Sequence, residues 1–305
     1  MKPPIERWWK YQADRFPIVS HGLLVAAFSF STVCYSLQLR GAHGLPPLAP
    51  ILVAFATAFL FFLQLRIADE YKDYEEDARY RPYRPVPQGL VNLGELGQLA
   101  AAGALLQAAL AWWLTPRLIL PLLLVWAYLG CMTVEFFVAE WIRARPWTYL
   151  WTHMLIMPLI TFYVTSCDWL VARVPPPFAL VWFLLASFLN GTVLEIGRKI
   201  RVPNDEEPGV QTYTVLWGCK KAPLAWLAAL CLTAAVSSLA AHELGVAVQV
   251  AWPLAVMLAV AGLTAACFIH RPSRPLAKRI DTLSGIWTLL VYLSLGLVPL
   301  LTHNL

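Results

Sequence analysis

The chain has 305 residues, of which 59% are hydrophobic and only 13% are charged, and its formal net charge is +5. Soluble domains carry about 25% charged residues, so this composition excludes a soluble globular protein and indicates an integral membrane protein. The six cysteines are scattered and contain no Cys-x-x-Cys pair, so neither a disulfide framework nor a zinc site is indicated. We expect one transmembrane domain over residues 1–305, surrounded by membrane lipids and without a nucleic-acid partner.

Nine apolar segments are long enough to cross a bilayer, since a spanning helix needs about 20 residues. They cover residues 18–38, 48–68, 94–114, 118–139, 148–170, 178–199, 223–241, 251–269 and 283–301. The sequence therefore predicts an all-α integral membrane protein with nine transmembrane helices.

The basic residues predict how this bundle is oriented. With the N-terminus inside, all of the 23 lysines and arginines except Arg40, Arg117 and Arg173 fall in inside segments. Cytoplasmic loops carry such an excess of basic residues. We therefore predict a cytoplasmic N-terminus in an inner or plasma membrane. Two loops that contain charged motifs, 66–93 and 195–222, then face the cytoplasm.

The first motif loop contains an acidic ladder that continues the second segment. Asp69, Asp73 and Asp77 are spaced i, i+4 and i+8, which places three carboxylates on one face of a helix. A divalent cation would relieve their repulsion, and Mg²⁺ commonly bridges carboxylates to phosphate oxygens. Arg81 and Arg84 follow, each before a backbone-restricting proline, and guanidinium groups bind phosphate in a fork geometry. The alternative is a solvated helix end with mixed charges.

The second motif loop follows the sixth segment and lies on the same predicted face of the membrane. Glu195 falls inside the apolar segment, where an acidic residue is a functional candidate by default. Arg198, Lys199 and Arg201 come next and suit a second set of phosphate contacts. The acids at 205–207 are candidate metal ligands, with an exposed loop as the alternative.

The acidic ladder resembles the Asn-Asp-x-x-Asp-x-x-x-Asp motif of the UbiA superfamily of intramembrane prenyltransferases. The match runs through Asp69, Glu70, Asp73 and Asp77, and continues into the Arg-Pro-x-Arg-Pro-x-Pro-x-Gly stretch at 81–89. The resemblance implies a UbiA-like bundle around a central cavity, in agreement with the nine segments counted separately. It also implies that this motif binds Mg²⁺ and the diphosphate of an isoprenoid donor.

The second motif of that superfamily, Asp-x-x-x-Asp followed by Gly-Ile or Gly-Val, is altered in this chain. Gly209 and Val210 match its tail and Asp205 matches its last acid, but Arg201 stands at the position of the other acid. Arginine cannot bind a metal ion. The ligand of the second metal is therefore left open between Asp205 and, through an insertion, Glu195.

The resemblance implies Mg²⁺-dependent transfer of a prenyl group from its diphosphate to a lipophilic, aromatic acceptor through an allylic carbocation. The implied metal ligands and catalytic residues are Asp69, Asp73, Asp77, Glu195 and Asp205. The implied diphosphate ligands are Lys72, Arg81, Arg84, Arg145, Arg198, Lys199 and Arg201. Arg143 is the alternative to Arg145, and the basic residues of that loop are equally explained by its cytoplasmic side. Two alternatives remain: a terpene cyclase of the same superfamily, which needs no acceptor, and a non-catalytic transporter or lipid-binding protein.

Overall fold

The computed structural model describes residues 4–304, and these residues form helices and connecting loops without a β-strand. The helices are α1 (Pro4–Arg15), α2 (Ile18–Leu39), α3 (Leu48–Lys72), α4 (Tyr74–Tyr80), α5 (Leu93–Leu114), α6 (Ile119–Thr133), α7 (Ala139–Arg143), α8 (Pro146–Met154), α9 (Ile156–Trp169), α10 (Leu180–Gly197), α11 (Tyr213–His242), α12 (Ala247–His270) and α13 (Arg274–Asn304). Within this part of the chain, nine spans are long and apolar enough to cross a membrane. This confirms the predicted all-α bundle, whereas the cytoplasmic orientation stays a prediction.

The fourth span ends at Thr133, earlier than the predicted boundary at 139, because the backbone turns sharply there. Glu135, Phe136 and Phe137 have φ angles of 50°, 53° and 61°. The left-handed region costs a residue with a Cβ atom roughly 1–2 kcal/mol. Three such residues in succession make this the most strained segment of the described backbone, and it carries the acidic side chain of Glu135.

The seventh and ninth spans begin earlier than predicted, at Tyr213 and Arg274. The Thr212 side chain caps α11 by accepting a hydrogen bond from the backbone N–H of Val215. A prediction from apolar composition misses the first turns of α11 and α13, because the charged ends of these helices extend beyond the apolar core of the membrane. At Gly218, with a φ angle of 82°, the backbone of α11 departs from helical geometry.

Helix α1 was not predicted, and it lies against the first motif loop. Its Tyr11 is 2% exposed and belongs to a small apolar cluster with Ile67, Val86, Val91 and Leu96. These partners come from the end of α3, the loop after α4 and the start of α5. The cluster therefore holds α1, α3 and α5 together at one end of the bundle.

The first and last spans pack directly against each other and close the bundle. At Gly296 of α13, a Cβ atom would lie 2.4 Å from the Cα atom of Ser31 in α2, so only glycine allows this close crossing. Small residues permit such approaches between membrane helices. At the end of the bundle opposite the motif loops, Arg40 binds the buried Asp168 with two nitrogens, at 3.0–3.2 Å.

Candidate active site

The acidic ladder keeps its helical spacing in the structure. Asp73 joins α3 to α4, and its backbone N–H donates to the carbonyl of Asp69 at 2.9 Å. The N–H of Asp77 donates to the carbonyl of Asp73 at 2.8 Å, so the i, i+4, i+8 relation holds along the backbone. The side chains nevertheless enter different surroundings, and this difference decides which of them faces the cavity.

Two carboxylates of the first motif, Glu70 and the ladder residue Asp77, are buried in ion pairs. Glu70 is 2% exposed and accepts a hydrogen bond from Arg15 at the end of α1. Asp77 is also 2% exposed and binds Arg81 at 2.9 Å and, more closely, Arg84. The two arginines predicted for diphosphate therefore pair with an acid predicted as a metal ligand, and the Arg-Pro stretch is held against the ladder.

Asp73 is the ladder acid that lines the cavity between the two motif loops. Burial raises the pKa of its carboxyl group; the adjacent Lys72 opposes this shift, and the nearby carboxylate of Asp69 adds to it. Asp69 is about one-third exposed and lies 3.4 Å from Arg66. A carboxylate that is partly desolvated and close to other acids is stabilised by a bound cation.

The cavity has a volume of about 200 Å³ and is built from several distant parts of the chain. The first motif loop contributes Asp73, Glu76 and Arg81, and the second contributes Lys199, Gly209 and Val210. The remaining lining residues include Glu135, Arg143, Pro146, Tyr149, Gln211, Tyr213 and Leu216. The tertiary structure thus brings the two motif loops to one cavity.

Glu195 holds the cations of the second motif loop. It is 7% exposed and accepts a hydrogen bond from Arg198 Nε at 2.7 Å, while Lys199 Nζ lies 2.8 Å from its other oxygen. Glu195, and to a smaller extent Asp69, raise the pKa of the Arg198 guanidinium, so the charges of the two motif loops interact. With both oxygens occupied by cations, Glu195 positions Arg198 and Lys199 in this structure.

Of the twelve residues predicted for the site, Asp73, Arg81 and Lys199 line this cavity and the other nine do not. Three of those nine lie in clearly different surroundings. Asp205 pairs with Arg274 at 3.0 Å and lines a second, open cleft of about 820 Å³, together with Arg201. Arg201 lies 3.7 Å from Glu207 in that cleft. Arg145 donates to the backbone carbonyl of the residue four positions earlier at 2.9 Å and lies over the ring of that same residue.

The cavity is also lined by Glu135, Arg143 and Tyr149, which are outside the main set of predicted site residues. Arg143 lies 3.5 Å from Glu135 and 3.8 Å from Glu76. Lys72 donates to the hydroxyl group of Tyr149 at 2.6 Å and lies 3.6 Å from Glu135. The resemblance offers Arg143 as the alternative to Arg145, and an acid at the end of an apolar segment is the signal for Glu135. No signal in the sequence pointed to Tyr149.

The donor set of the cavity fits one Mg²⁺ ion. No group of three His, Cys, Asp or Glu residues within the described range is arranged to hold a metal. Mg²⁺, however, is usually bound by one or two carboxylates together with phosphate oxygens and water. Asp73 lines the cavity and is one such carboxylate. Asp69, one helical turn earlier, is close enough to raise the pKa of Asp73, and its contact with Arg66 is longer, at 3.4 Å, than the closest ion pairs of the other candidate ligands. The arginine- and lysine-bound carboxylates of Glu70, Asp77 and Glu195 do not fit this role as they stand.

Comparison with known proteins places this geometry in context. A sequence model of the UbiA prenyltransferase family matches residues 29–288. A search of curated proteins found no match. The solved structure of a digeranylgeranylglyceryl phosphate synthase is similar with a TM-score of 0.61 and 15% identity, over 97% of this chain and 99% of that chain. A UbiA homolog from Aeropyrum pernix K1 is similar with a TM-score of 0.66 and 19% identity, over 92% and 98%. At these identities the structural likeness shows the fold alone.

Proposed function

Since the chain belongs to the UbiA prenyltransferase family, we propose that it transfers an isoprenoid group from a prenyl diphosphate to a lipophilic acceptor in a Mg²⁺-dependent reaction. One observation carries the proposal: the first motif loop supplies Asp73, and the second supplies Lys199, to the same cavity. A carboxylate on one wall and cations on the others suit a metal ion and a diphosphate bound between them.

The polar residues of the cavity divide into two roles. Asp73, with Asp69 beside it, would hold the Mg²⁺ ion. When bound, the ion neutralises the diphosphate and polarises the C–O bond that breaks. Lys199, Arg81 and Arg143 line the same cavity, so their cationic groups would bind diphosphate oxygens. Fixed donors of this kind stabilise the negative charge that develops on the leaving group.

An aromatic wall lies beside these charges. Tyr149 and Tyr213 line the cavity, and the Tyr213 ring packs against Trp217 with centroids 4.4 Å apart. Trp147 stacks on the same indole at 4.3 Å. The faces of aromatic rings attract cations. This wall would therefore stabilise an allylic carbocation while the acceptor approaches.

The substitution Asp73→Asn tests the proposal in purified protein in lipid nanodiscs. We expect wild type to release diphosphate from a prenyl diphosphate only when Mg²⁺ is present, and Asp73→Asn to lose at least about 100-fold of this activity, since the carboxylate charge is essential to the metal site. Glu75→Gln is the matched control, because Glu75 is an exposed acid two residues later, in α4. Near-normal activity of Asp73→Asn in a folded protein would contradict the assignment.

The same assay separates the alternatives. Farnesyl and geranylgeranyl diphosphate are supplied with and without a panel of lipophilic phenols and alcohols, and the products are identified by mass spectrometry. A prenylated acceptor supports transfer, whereas hydrocarbon formed without acceptor identifies a terpene cyclase. If wild type releases no diphosphate from either donor under any condition, the enzymatic proposal fails and a non-catalytic membrane role takes its place.

A further inference from the structure

Glu135 occupies an unusual position for an acidic residue. It lies in the left-handed segment that ends the fourth span, and its side chain is 3% exposed. Both carboxylate oxygens lack a hydrogen-bond partner among residues 4–304. Glu135 also lines the cavity that contains Asp73. Burying a carboxylate that accepts no hydrogen bond costs free energy. The presence of such a carboxylate beside a cavity therefore indicates a ligand that donates a hydrogen bond to it.

The groups around Glu135 are close but do not satisfy it. Lys72 Nζ, Arg143 and His153 Nε2 lie 3.6, 3.5 and 3.7 Å from its oxygens. These distances are longer than good hydrogen bonds. Lys72 instead donates to Tyr149 at 2.6 Å. Lys72 and Arg143 therefore lie close to Glu135 without occupying its acceptor sites.

One ring nitrogen of the histidine next to Glu135 also has no hydrogen-bond donor beside it. His153 Nδ1 lies 2.8 Å from the carbonyl oxygen of Tyr149. Since a carbonyl oxygen only accepts, Nδ1 carries the hydrogen, and in the neutral ring Nε2 is then an acceptor. Nε2 has no partner among the described residues. Two acceptors thus face each other beside the cavity, and a ligand group with a hydrogen to donate would complete the arrangement.

We propose that Glu135 binds the hydroxyl group of the prenyl acceptor and takes its proton, so that the acceptor is a lipophilic phenol or alcohol that reacts through oxygen. This inference rests on the prenyl transfer proposed above. The acceptor oxygen bonds to C1 of the prenyl group, and the diphosphate departs with the electron pair of the C1–O bond. The hydroxyl proton passes to the Glu135 carboxylate, so that atoms and charges balance.

The position of Glu135 relative to the ladder supports this role. Lys72 precedes Asp73 in the chain and lies against Glu135. Arg143 lies between Glu135 and Glu76, a residue of α4 that also lines the cavity. A single side chain, that of Lys72 or Arg143, therefore separates Glu135 from the region in which the diphosphate would bind. An acceptor held there would have its oxygen near the carbon that loses the diphosphate.

The test compares Glu135→Gln, Glu135→Asp and wild type in nanodiscs with Mg²⁺. Two quantities are measured separately: the affinity for a non-reactive thiodiphosphate analogue of the donor, and the rate of transfer to a hydroxyl acceptor. We expect Glu135→Gln to lose about 10²–10⁴-fold in kcat for transfer, the range of a general base, while the analogue affinity stays within about threefold. Glu135→Asp should recover part of the rate. Glu140→Gln is the control, because Glu140 is exposed in the next helix, α7.

Each outcome has a defined meaning. A selective loss of kcat with an ether as the wild-type product supports the proposal. Equal losses of analogue affinity and transfer would show that Glu135 only holds Lys72 and Arg143 in place, and would overturn it. Unchanged transfer in Glu135→Gln, or a product prenylated at carbon, would overturn it as well. If wild type releases no diphosphate from any prenyl donor, the proposed function itself fails, and this inference fails with it.

Discussion

Helix α1 carries two arginine–glutamate pairs that differ chiefly in burial, and this difference predicts very different effects of substitution. Arg15 binds Glu70, which adjoins the acidic ladder, and the two side chains are 10% and 2% exposed. Arg7 binds Glu95 of α5 at 2.6 Å, and these side chains are 29% and 24% exposed. Substitution of either arginine by methionine keeps most of the apolar stem and removes the guanidinium, so the loss of charge is the main change.

The expected magnitudes follow from the fate of the remaining carboxylate. Arg15→Met leaves Glu70 buried without its counter-charge, and removing one partner of a buried pair costs about 3–5 kcal/mol. Arg7→Met leaves Glu95 in contact with solvent, where the loss of an ion pair changes stability little. Glu70→Gln added to Arg15→Met removes the buried charge as well. We therefore expect the double variant to be more stable than Arg15→Met alone.

The free energy of unfolding can be measured by SDS titration in mixed micelles, with hydrogen exchange reporting on α1. Arg15→Met should show both a large loss of stability and faster exchange in α1, whereas Arg7→Met should differ little from wild type. Equal effects of the two substitutions would refute the argument, because burial would then not determine the cost of the unpaired carboxylate. A double variant no more stable than Arg15→Met would show that lost packing, rather than charge, is responsible.

Two glycine positions give further predictions. Gly296→Ala should lower the free energy of unfolding by about 1–3 kcal/mol, because the new Cβ atom would lie 2.4 Å from a Cα atom of α2. Gly285→Ala, in the same helix, is the control. Its Cβ atom would meet no described atom within 4 Å, so this variant should be nearly neutral in the same SDS titration. Gly209→Ala should reduce diphosphate release, since its Cβ would lie 2.4 Å from the Tyr80 ring and displace the second motif loop from α4. Gly89→Ala is the control, because it has a similar positive φ but no described atom within 4 Å; equal activities of these two variants would contradict the packing argument.

The membrane architecture was readable from the sequence because the bilayer imposes a simple physical rule. A span needs about 20 apolar residues, and buried backbone groups in lipid require helices. Those constraints act on local composition, so the nine spans were predicted without tertiary information. The exceptions were the start of α11, the start of α13 and the break after Thr133. These depend on capping, polar extension beyond the membrane and a strained turn, none of which changes the mean hydropathy of a segment.

The acidic ladder was also predictable, because helical spacing determines which carboxylates share a face. Its hydrogen bonds from Asp73 to Asp69 and from Asp77 to Asp73 follow that spacing. The surroundings of each carboxylate were not predictable, since they depend on partners distant in the chain. Arg15 reaches Glu70 from α1, and neither spacing nor composition relates those two positions.

The sequence by itself determined a nine-span helical membrane protein with two charged motif loops at one predicted face. Only the tertiary structure decided which charges meet. It placed Asp73 and Lys199 in one cavity, Asp205 in a separate cleft, and Glu135 among cations without a hydrogen-bond donor. The physical reason is that hydropathy and helical period are properties of neighbouring residues. The free energy of a buried charge depends instead on the few groups that the fold brings within about 4 Å.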